Sequence, residues 1–314
     1  MQKVATRDAY GQALVRLGER DPRIVVLDAD LSKSTKTAEF AKRFPDRFFN
    51  VGVAEQSLIG TAAGLALGGK IPFASSFAVF ATGRAFEQIR NSVCYPRLNV
   101  KIAATHAGLT VGEDGASHQS VADVAVMRAL PHMTVVVPAD ARETEQAVEA
   151  AAEYNGPVYL RLGRLALPAL LPEDYRFQWG KAVTLREGGD VSLLANGVML
   201  GAALEAAEEL ARRGVQARVL NVSTVKPLDR EAVLAAARET GALVTAEEHS
   251  IIGGLGSAVA ELVGEEYPVP LARVGSSDTC GDSGAPHELL RKYGLTADGI
   301  VRAAGEVLAR KRRY

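Results

Sequence analysis

Short apolar runs rich in β-branched residues alternate along this chain with alanine-rich segments of helical spacing, and that alternation dictates the fold class. Ile24–Leu27 (IVVL), Val100–Ala104 (VKIAA), Thr134–Val137 (TVVV) and Val158–Leu162 (VYLRL) read as buried strands. Glu55–Leu67, Gly83–Val93 and Ala141–Tyr154 have helical composition and lie between them. Strand–helix alternation at this period predicts βαβ units and a mostly parallel sheet with helices on both faces. Asp140 is placed to cap the helix that begins at Ala141, with Pro138 closing the strand ahead of it.

The rhythm breaks over Leu165–Gly189, which holds Pro168, Pro172, Trp179 and a Gly188-Gly189 pair without a sustained period. It then restarts, with strands expected at Val191–Ala195, Ala217–Val222, Ala242–Ala246 and Pro270–Val274. Helices are expected at Leu200–Arg213, Asp229–Thr240, Ser257–Glu265, His287–Tyr293 and Thr296–Lys311. The expected organisation is a first domain over 1–165, a linker over 166–189 and a second, smaller α/β domain over 190–314, both doubly wound. The basic tail Arg310–Arg313 suits a helix C-terminus facing solvent.

Composition narrows the function classes. With 36 Lys and Arg against 37 Asp and Glu in 314 residues, the chain lacks the basic excess of a nucleic-acid-binding surface. Two cysteines, Cys94 and Cys280, exclude a disulfide scaffold and agree with a reduced, cytoplasmic setting. No apolar run approaches the ~20 residues that span a bilayer, and MQKVATRDAY at the start lacks the apolar core of a secretory signal. Neither nucleic acid nor membrane is an expected partner.

Open parallel sheets bind ligands beyond the carboxyl ends of their strands, so the polar residues after the expected strands are the candidates. Asp28, Asp30, Ser32, Ser34 and Thr35 follow Ile24–Leu27, and Glu55 follows Phe48–Val53. His106, Glu113, Asp114 and His118 lie in the Gly-rich THAGLTVGEDGASHQ, and Arg164 follows Val158–Leu162. Asp30 or Ser34 serves equally well as a helix cap, and Glu55 as a first-turn acid favoured by the helix dipole. The helix that Glu55 opens is apolar nearly all round, so it is expected to be buried. That would raise the pKa of the Glu55 carboxyl and suit it to proton donation.

Phe73, Phe77 and Phe80 fall at helical spacing, the pattern of core packing or of a wall for a flat heterocycle. CxxC and HExxH spacings are absent, so a metal held by this chain alone is not expected. Ile251–Glu261 (IIGGLGSAVAE) follows neither glycine order of the phosphate loops and reads as a tight strand-to-helix turn.

Gly52-Val53-Ala54-Glu55-Gln56, Ser75–Phe80 (SSFAVF) and Thr105–Gln119 resemble, in order and spacing, the pyrimidine-binding domain of transketolases. The resemblance continues through Pro138–Glu143 (PADARE), Gly163–Pro168 (GRLALP) and Gly281–Ile300, the last being similar to the family's C-terminal domain. It covers nearly the whole chain. Family members begin with a diphosphate-binding domain carrying a GDG…N metal motif, whereas this chain starts inside the second domain. The resemblance therefore implies one half of a split enzyme, inactive alone. The diphosphate anchor and its Mg²⁺ or Ca²⁺ would lie on a separate N-terminal subunit, in a heterotetramer with two chains of each kind. The helix of Glu55 and the segment Phe77–Val93 are the expected interface.

The same resemblance implies roles. The aminopyrimidine of thiamine diphosphate would dock here, with Glu55 protonating its ring nitrogen, Phe77 and Phe80 lining it and Asp30 beside the thiazolium. His118 and His106 would act at the reacting end. Arg7, Ser34, His106 and Arg164 would hold the phosphate of a sugar, and Asp114 one of its hydroxyls. Arg161 competes with Arg164, and the Leu167-Pro168 beyond favours Arg164. Gly83 stands where many relatives carry a third aromatic. The implied reaction transfers a two-carbon glycolaldehyde unit between sugar phosphates, as in the pentose phosphate pathway. The glutamate helix is shared with 1-deoxyxylulose-5-phosphate synthases and with 2-oxoacid dehydrogenase beta subunits, the enzyme alternatives. A regulatory thiamine-binding half is the non-enzyme alternative.

Overall fold

The computed structural model describes residues 3–311. A two-stranded antiparallel ribbon pairs β1 (Val4–Ala5) with a strand near the end of the first domain. The main sheet is built from β2 (Ile24–Asp28), β3 (Phe48–Asn50), β4 (Ile71–Phe77), β5 (Lys101–Thr105), β6 (Thr134–Val136) and β7 (Val158–Arg161). These six run parallel in the order β6-β7-β5-β4-β2-β3. After β8 (Ala166–Leu167), the partner of β1, come β9 (Val183–Arg186), β10 (Val191–Ala195), β11 (Ala217–Asn221), β12 (Thr224–Lys226), β13 (Leu243–Ser250) and β14 (Leu271–Ser276). The second sheet has the order β14-β13-β10-β11-β9, parallel except for β9 at its edge.

The apolar runs are continuous because both faces of each sheet are covered. In β2, Val25 and Leu27 enter the core under helix Glu55–Leu67, while Ile24 and Val26 pack with Tyr10 and Leu14 of helix Thr6–Arg20. The second sheet is flanked in the same way by helices Met199–Arg212 and Ala297–Lys311 on one face, and by Arg230–Thr240 and Leu255–Glu266 on the other.

Several local expectations need correction. The central strand β4 went unread because Pro72, Ser75 and Ser76 break its apolar run. All seven residues are buried, and the Ser75 hydroxyl is matched to Tyr10 OH at 2.6 Å. The segment expected as a linker carries β8 and β9; Val183 and Leu185 alternate with polar neighbours, as an edge strand requires. Strand β12, from the second half of the chain, joins the first sheet antiparallel to β6.

Helix Gly83–Val93 is instead two π-helical turns, Phe80–Arg84 and Ile89–Cys94, around a short α segment. The helix of Glu55 is buried on one stripe only (Leu58, Ile59, Ala62, Ala63), leaving Gly60, Gly64 and Leu67 uncovered. Asp28, rather than Asp30 or Ser34, organises the turn after β2, accepting from the Leu31 N–H and the Thr35 and Thr37 hydroxyls. In the basic tail, Arg310 and Lys311 reach back to the carbonyls of Leu271 and Thr240, while Arg312 and Arg313 lie outside the described residues.

Asp140 caps as expected and does more. One carboxylate oxygen accepts from Glu143 N–H at 2.9 Å, the other from Leu170 N–H and Leu171 N–H at 2.9 and 3.0 Å. The buried carboxylate thus pins the chain leaving the first domain onto a helix start. Asp140→Ala orphans three donors. Adding the ~1 kcal/mol of a lost cap to the ~1–3 kcal/mol of unsatisfied buried groups predicts a loss of about 2–4 kcal/mol in urea unfolding. A change below about 1 kcal/mol would mean that water replaces the carboxylate.

Candidate active site

The carboxyl ends of the parallel strands carry nearly every candidate. Phe77 closes β4, and its ring lies over the His106 imidazole with centroids 3.8 Å apart and planes 22° from parallel. Phe80 continues the wall, 5.9 Å from Phe77 at 11°. His118 meets it edge-on at 5.4 Å. Phe73, by contrast, is buried in the core 6.4 Å from Tyr10, so the core reading holds for that ring.

His106 is fixed at both ring nitrogens. Arg7 is always a donor, so its Nη1, 2.9 Å from His106 Nε2, makes that nitrogen an acceptor. Nδ1 therefore carries the hydrogen and donates to Thr105 Oγ1 at 2.9 Å. Burial, reinforced by the Arg7 and Arg164 charges, pushes the imidazole down to about 3, so it stays neutral at physiological pH. Its φ of +54° is the local strain that turns the ring back over Phe77.

A cationic end lies beyond His106. Arg7 also donates to the Ser34 carbonyl at 3.2 Å, and its Nε has no partner among the described residues. Arg164 Nη1 donates to Val111 O at 2.8 Å and stands 3.5 Å from Asp114 Oδ2. Arg161 has no such freedom: it is buried in an ion pair with Asp123 at 2.7 Å.

At the other end, Glu55 is 1% exposed at the first turn of its helix, and its Oε2 accepts from Arg84 Nη1 at 2.6 Å. The Arg84 guanidinium lies over the Phe80 ring, 5.1 Å from its centroid. The carboxylate is therefore buried as expected, but in an ion pair that sequence reading did not assign. No local signal marks that pair, because Arg84 lies 29 residues from Glu55. Asp30 is tied to the end of β3, where it exchanges two hydrogen bonds with Asn50, and it holds a positive φ of +64°.

The Gly-rich turn before helix Leu255–Glu266 is the tight turn expected. Glu247 accepts from the Leu255 and Gly256 N–H groups at 2.8 Å each, so the protein's own carboxylate fills the helix N-terminus.

Two family descriptions match this arrangement. The transketolase pyrimidine-binding domain matches residues 2–169, and the transketolase C-terminal domain residues 180–300. The chain belongs to the transketolase family. It is 50% identical over 305 residues to a 6-deoxy-6-sulfo-D-fructose transketolase subunit of Clostridium sp. (strain MSTE9), covering 97% of this chain and 95% of that one. It is 40% identical over 306 residues to 1-deoxy-D-xylulose-5-phosphate synthase of Desulforudis audaxviator, spanning 96% of this chain but 48% of that enzyme. Among solved structures, one described as a split gene transketolase, inactive beta4 tetramer, superposes with a TM-score of 0.92 at 60% identity. That match covers 98% of this chain and 100% of the other. Among the described residues, no helix is long and apolar enough to cross a membrane.

Proposed function

We propose that this chain is the C-terminal subunit of a split transketolase that moves a two-carbon glycolaldehyde unit from a ketose phosphate to an aldose phosphate. One observation carries the reading. A buried carboxylate (Glu55), an aromatic wall (Phe80, Phe77) and a cationic end (Arg7, Arg164) follow one another along the carboxyl edge of a single sheet.

The near end fits the aminopyrimidine of thiamine diphosphate. Glu55 offers a carboxyl sheltered from water for a basic ring nitrogen, and the faces of Phe80 and Phe77 suit a flat heterocycle. When bound, the cofactor supplies the electron sink for breaking a carbon–carbon bond. Glu55 would hold and return the proton at the ring nitrogen, and Asp30, just beyond β2, would lie on the thiazolium side. The diphosphate and its Mg²⁺ or Ca²⁺ are assigned to an N-terminal partner subunit, in a heterotetramer with two chains of each kind. The words "subunit" and "split gene" attached to its relatives support that partner.

The far end suits an oxyanion. Arg7 has an N–H to spare, and Arg164 is half exposed beside Asp114. His106, neutral and accepting from Arg7, aims that cation rather than adding a charge. Ser34 orients Arg7 from its carbonyl. Asp114 would accept from a sugar hydroxyl, and His118 stands at the reacting end by Phe80. A relative named for a sulfo-fructose supports a sugar with an anionic end as the substrate class. A place in pentose phosphate interconversion in the cytoplasm is part of the same reading.

A coupled assay with xylulose 5-phosphate and ribose 5-phosphate tests it, with thiamine diphosphate and Mg²⁺ present. Turnover is expected from this chain mixed with a subunit carrying the diphosphate-binding domain, and from neither alone. Turnover only when pyruvate replaces the ketose would move the assignment to the synthase side of the family. Cofactor binding with no turnover of either donor would favour a regulatory half.

A further inference from the structure

The loop that bears Asp114 and His118 runs from β5 along the seam between the two domains, and the second domain supplies much of what holds it. Glu248, near the end of β13, is buried, and its Oε1 accepts from the Thr110 N–H at 2.6 Å. The carboxyl lies against Gly108, whose φ of +82° and missing side chain permit the approach. A Cβ there would run into the Glu248 carboxyl.

Gly108 is also the point where the loop folds back on itself, forming a bridge to Ser120. Farther along, Ser283 Oγ donates to Glu113 O at 2.6 Å, and Gln119 Nε2 donates to Asp282 O at 2.7 Å. Arg164 Nη1 rests on Val111 O within the same turn. Whatever fixes the turn at Thr110 therefore also seats that cation.

We propose that Glu248 is a positioning residue for this loop: its carboxylate, reaching across from the second domain, fixes the Gly108–Asp114 turn and with it the placement of Asp114, His118 and Arg164. Three observations agree. The carboxylate is buried and satisfied by a loop N–H, a glycine stands where any side chain would displace it, and Arg161 ties the Glu248 backbone carbonyl to the Ser120 carbonyl by donating to both, at 2.9 and 3.2 Å. Among the described residues Glu248 is tied to Thr110 and lies near Arg161, with no hydrogen bond or ion pair to Glu55 or Arg84, so its loss should weaken the sugar end and spare the cofactor end. The assignment of the loop to sugar binding rests on the function proposed above; the fixing of the loop does not.

Two arms test this. In the first, hydrogen exchange of the full chain compares Glu248→Leu with Glu248→Gln, whose amide oxygen still accepts from Thr110. Exchange over residues 108–119 is expected to rise about tenfold or more in Glu248→Leu, while the strands of both sheets keep their protection. Glu248→Gln should return the loop close to wild-type rates. Unchanged loop exchange, an increase spread evenly over both sheets, or failure of Gln to restore protection would each overturn the proposal.

In the second arm, enzyme reconstituted with the diphosphate-domain subunit should show the sugar phosphate KM raised about tenfold in Glu248→Leu, with thiamine diphosphate affinity within about twofold of wild type. An unchanged KM overturns the positioning role. A wild-type mixture that turns over no sugar counts against the transketolase reading instead, and the exchange arm then decides on the loop.

Discussion

Glu55→Gln is expected to lower kcat of the reconstituted enzyme by about 10²–10⁴-fold, the range carried by a positioned proton donor, while leaving the fold unchanged. The substitution isolates one property. Gln has the shape of Glu, fills the same buried position at the helix start, and keeps an oxygen 2.6 Å from Arg84 Nη1. What it lacks is a carboxyl that can take up and give back a proton. Its side chain can still hydrogen-bond a ring nitrogen, so thiamine diphosphate should bind with similar affinity and the sugar KM should move little. Fluorescence titration of the cofactor beside steady-state kinetics would separate these quantities. Glu55→Ala is the poorer probe, because it also opens a cavity and leaves Arg84 without its partner. A Glu55→Gln enzyme within about threefold of wild-type kcat would remove Glu55 from the proton path and leave the pair with Arg84 as a structural contact.

The residues that were legible in sequence share a physical cause, as do those that were not. Strands such as β2 and β5 declare themselves because burial on both faces makes most of the run apolar, Ile24–Leu27 in the first and Ile102–Ala104 in the second, where the buried Lys101 donates to the Tyr154 and Gly156 carbonyls. The site then follows, since a parallel sheet opens at its carboxyl ends, and Phe77, His106 and Arg164 all lie within three residues of one. β4 was hidden because Ser75, inside it, is satisfied by a distant partner, Tyr10, which no local window contains. The π-helical turns after Phe80 were hidden because a helical period does not reveal an extra residue per turn. The Arg84–Glu55 pair joins residues 29 apart and the Glu248–Thr110 contact residues 138 apart. Neither spacing is set by a secondary-structure period, so both emerge only from the packed fold. The uncovered stripe on the Glu55 helix, with Leu67 at 75% and nearby Val53 at 74% exposure, is the same matter one level higher. A helix that the proposed partner subunit covers would be apolar all round, and that composition is legible in the sequence although the cover is not.

Arg161→Leu should cost about 3–5 kcal/mol, the usual penalty for stranding one charge of a buried pair, and a large part of the ~5–15 kcal/mol that holds a typical domain folded. Arg161 is 6% exposed at the end of β7 and donates from Nε to Asp123 Oδ2 at 2.7 Å; Tyr159 OH donates to the same oxygen at 2.7 Å. Its Nη2 also ties the Ser120 and Glu248 carbonyls, so the variant orphans acceptors on both sides of the domain seam. Burial alone would push the Asp123 carboxyl up, but the Arg161 charge and the hydrogen bonds outweigh it and hold the group below its ordinary 3.8.

The sign of the pH dependence follows from that direction. In the wild type, the contribution of Asp123 is fully present above the unfolded value near 3.8 and is lost only as pH falls below it through the folded value. Without Arg161 the burial effect, the largest influence on the group, is opposed by the lesser effects of His249 and the Tyr159 hydrogen bond, and the folded carboxyl is expected to titrate above the unfolded one. The deficit of Arg161→Leu should therefore be greatest at pH 8 and shrink toward pH 4, where the stranded group can take up a proton. Arg161→Leu/Asp123→Leu removes both charges of the pair, leaving Glu248 as the neighbouring buried acid, so it should recover a good part of the loss at pH 8 and show less of this pH dependence. Urea unfolding of the three proteins at pH 8 and near pH 4 decides the matter. A single variant that loses less than about 1 kcal/mol, or whose deficit grows as pH falls, would mean that water reaches Asp123 and that the pair does not hold the seam.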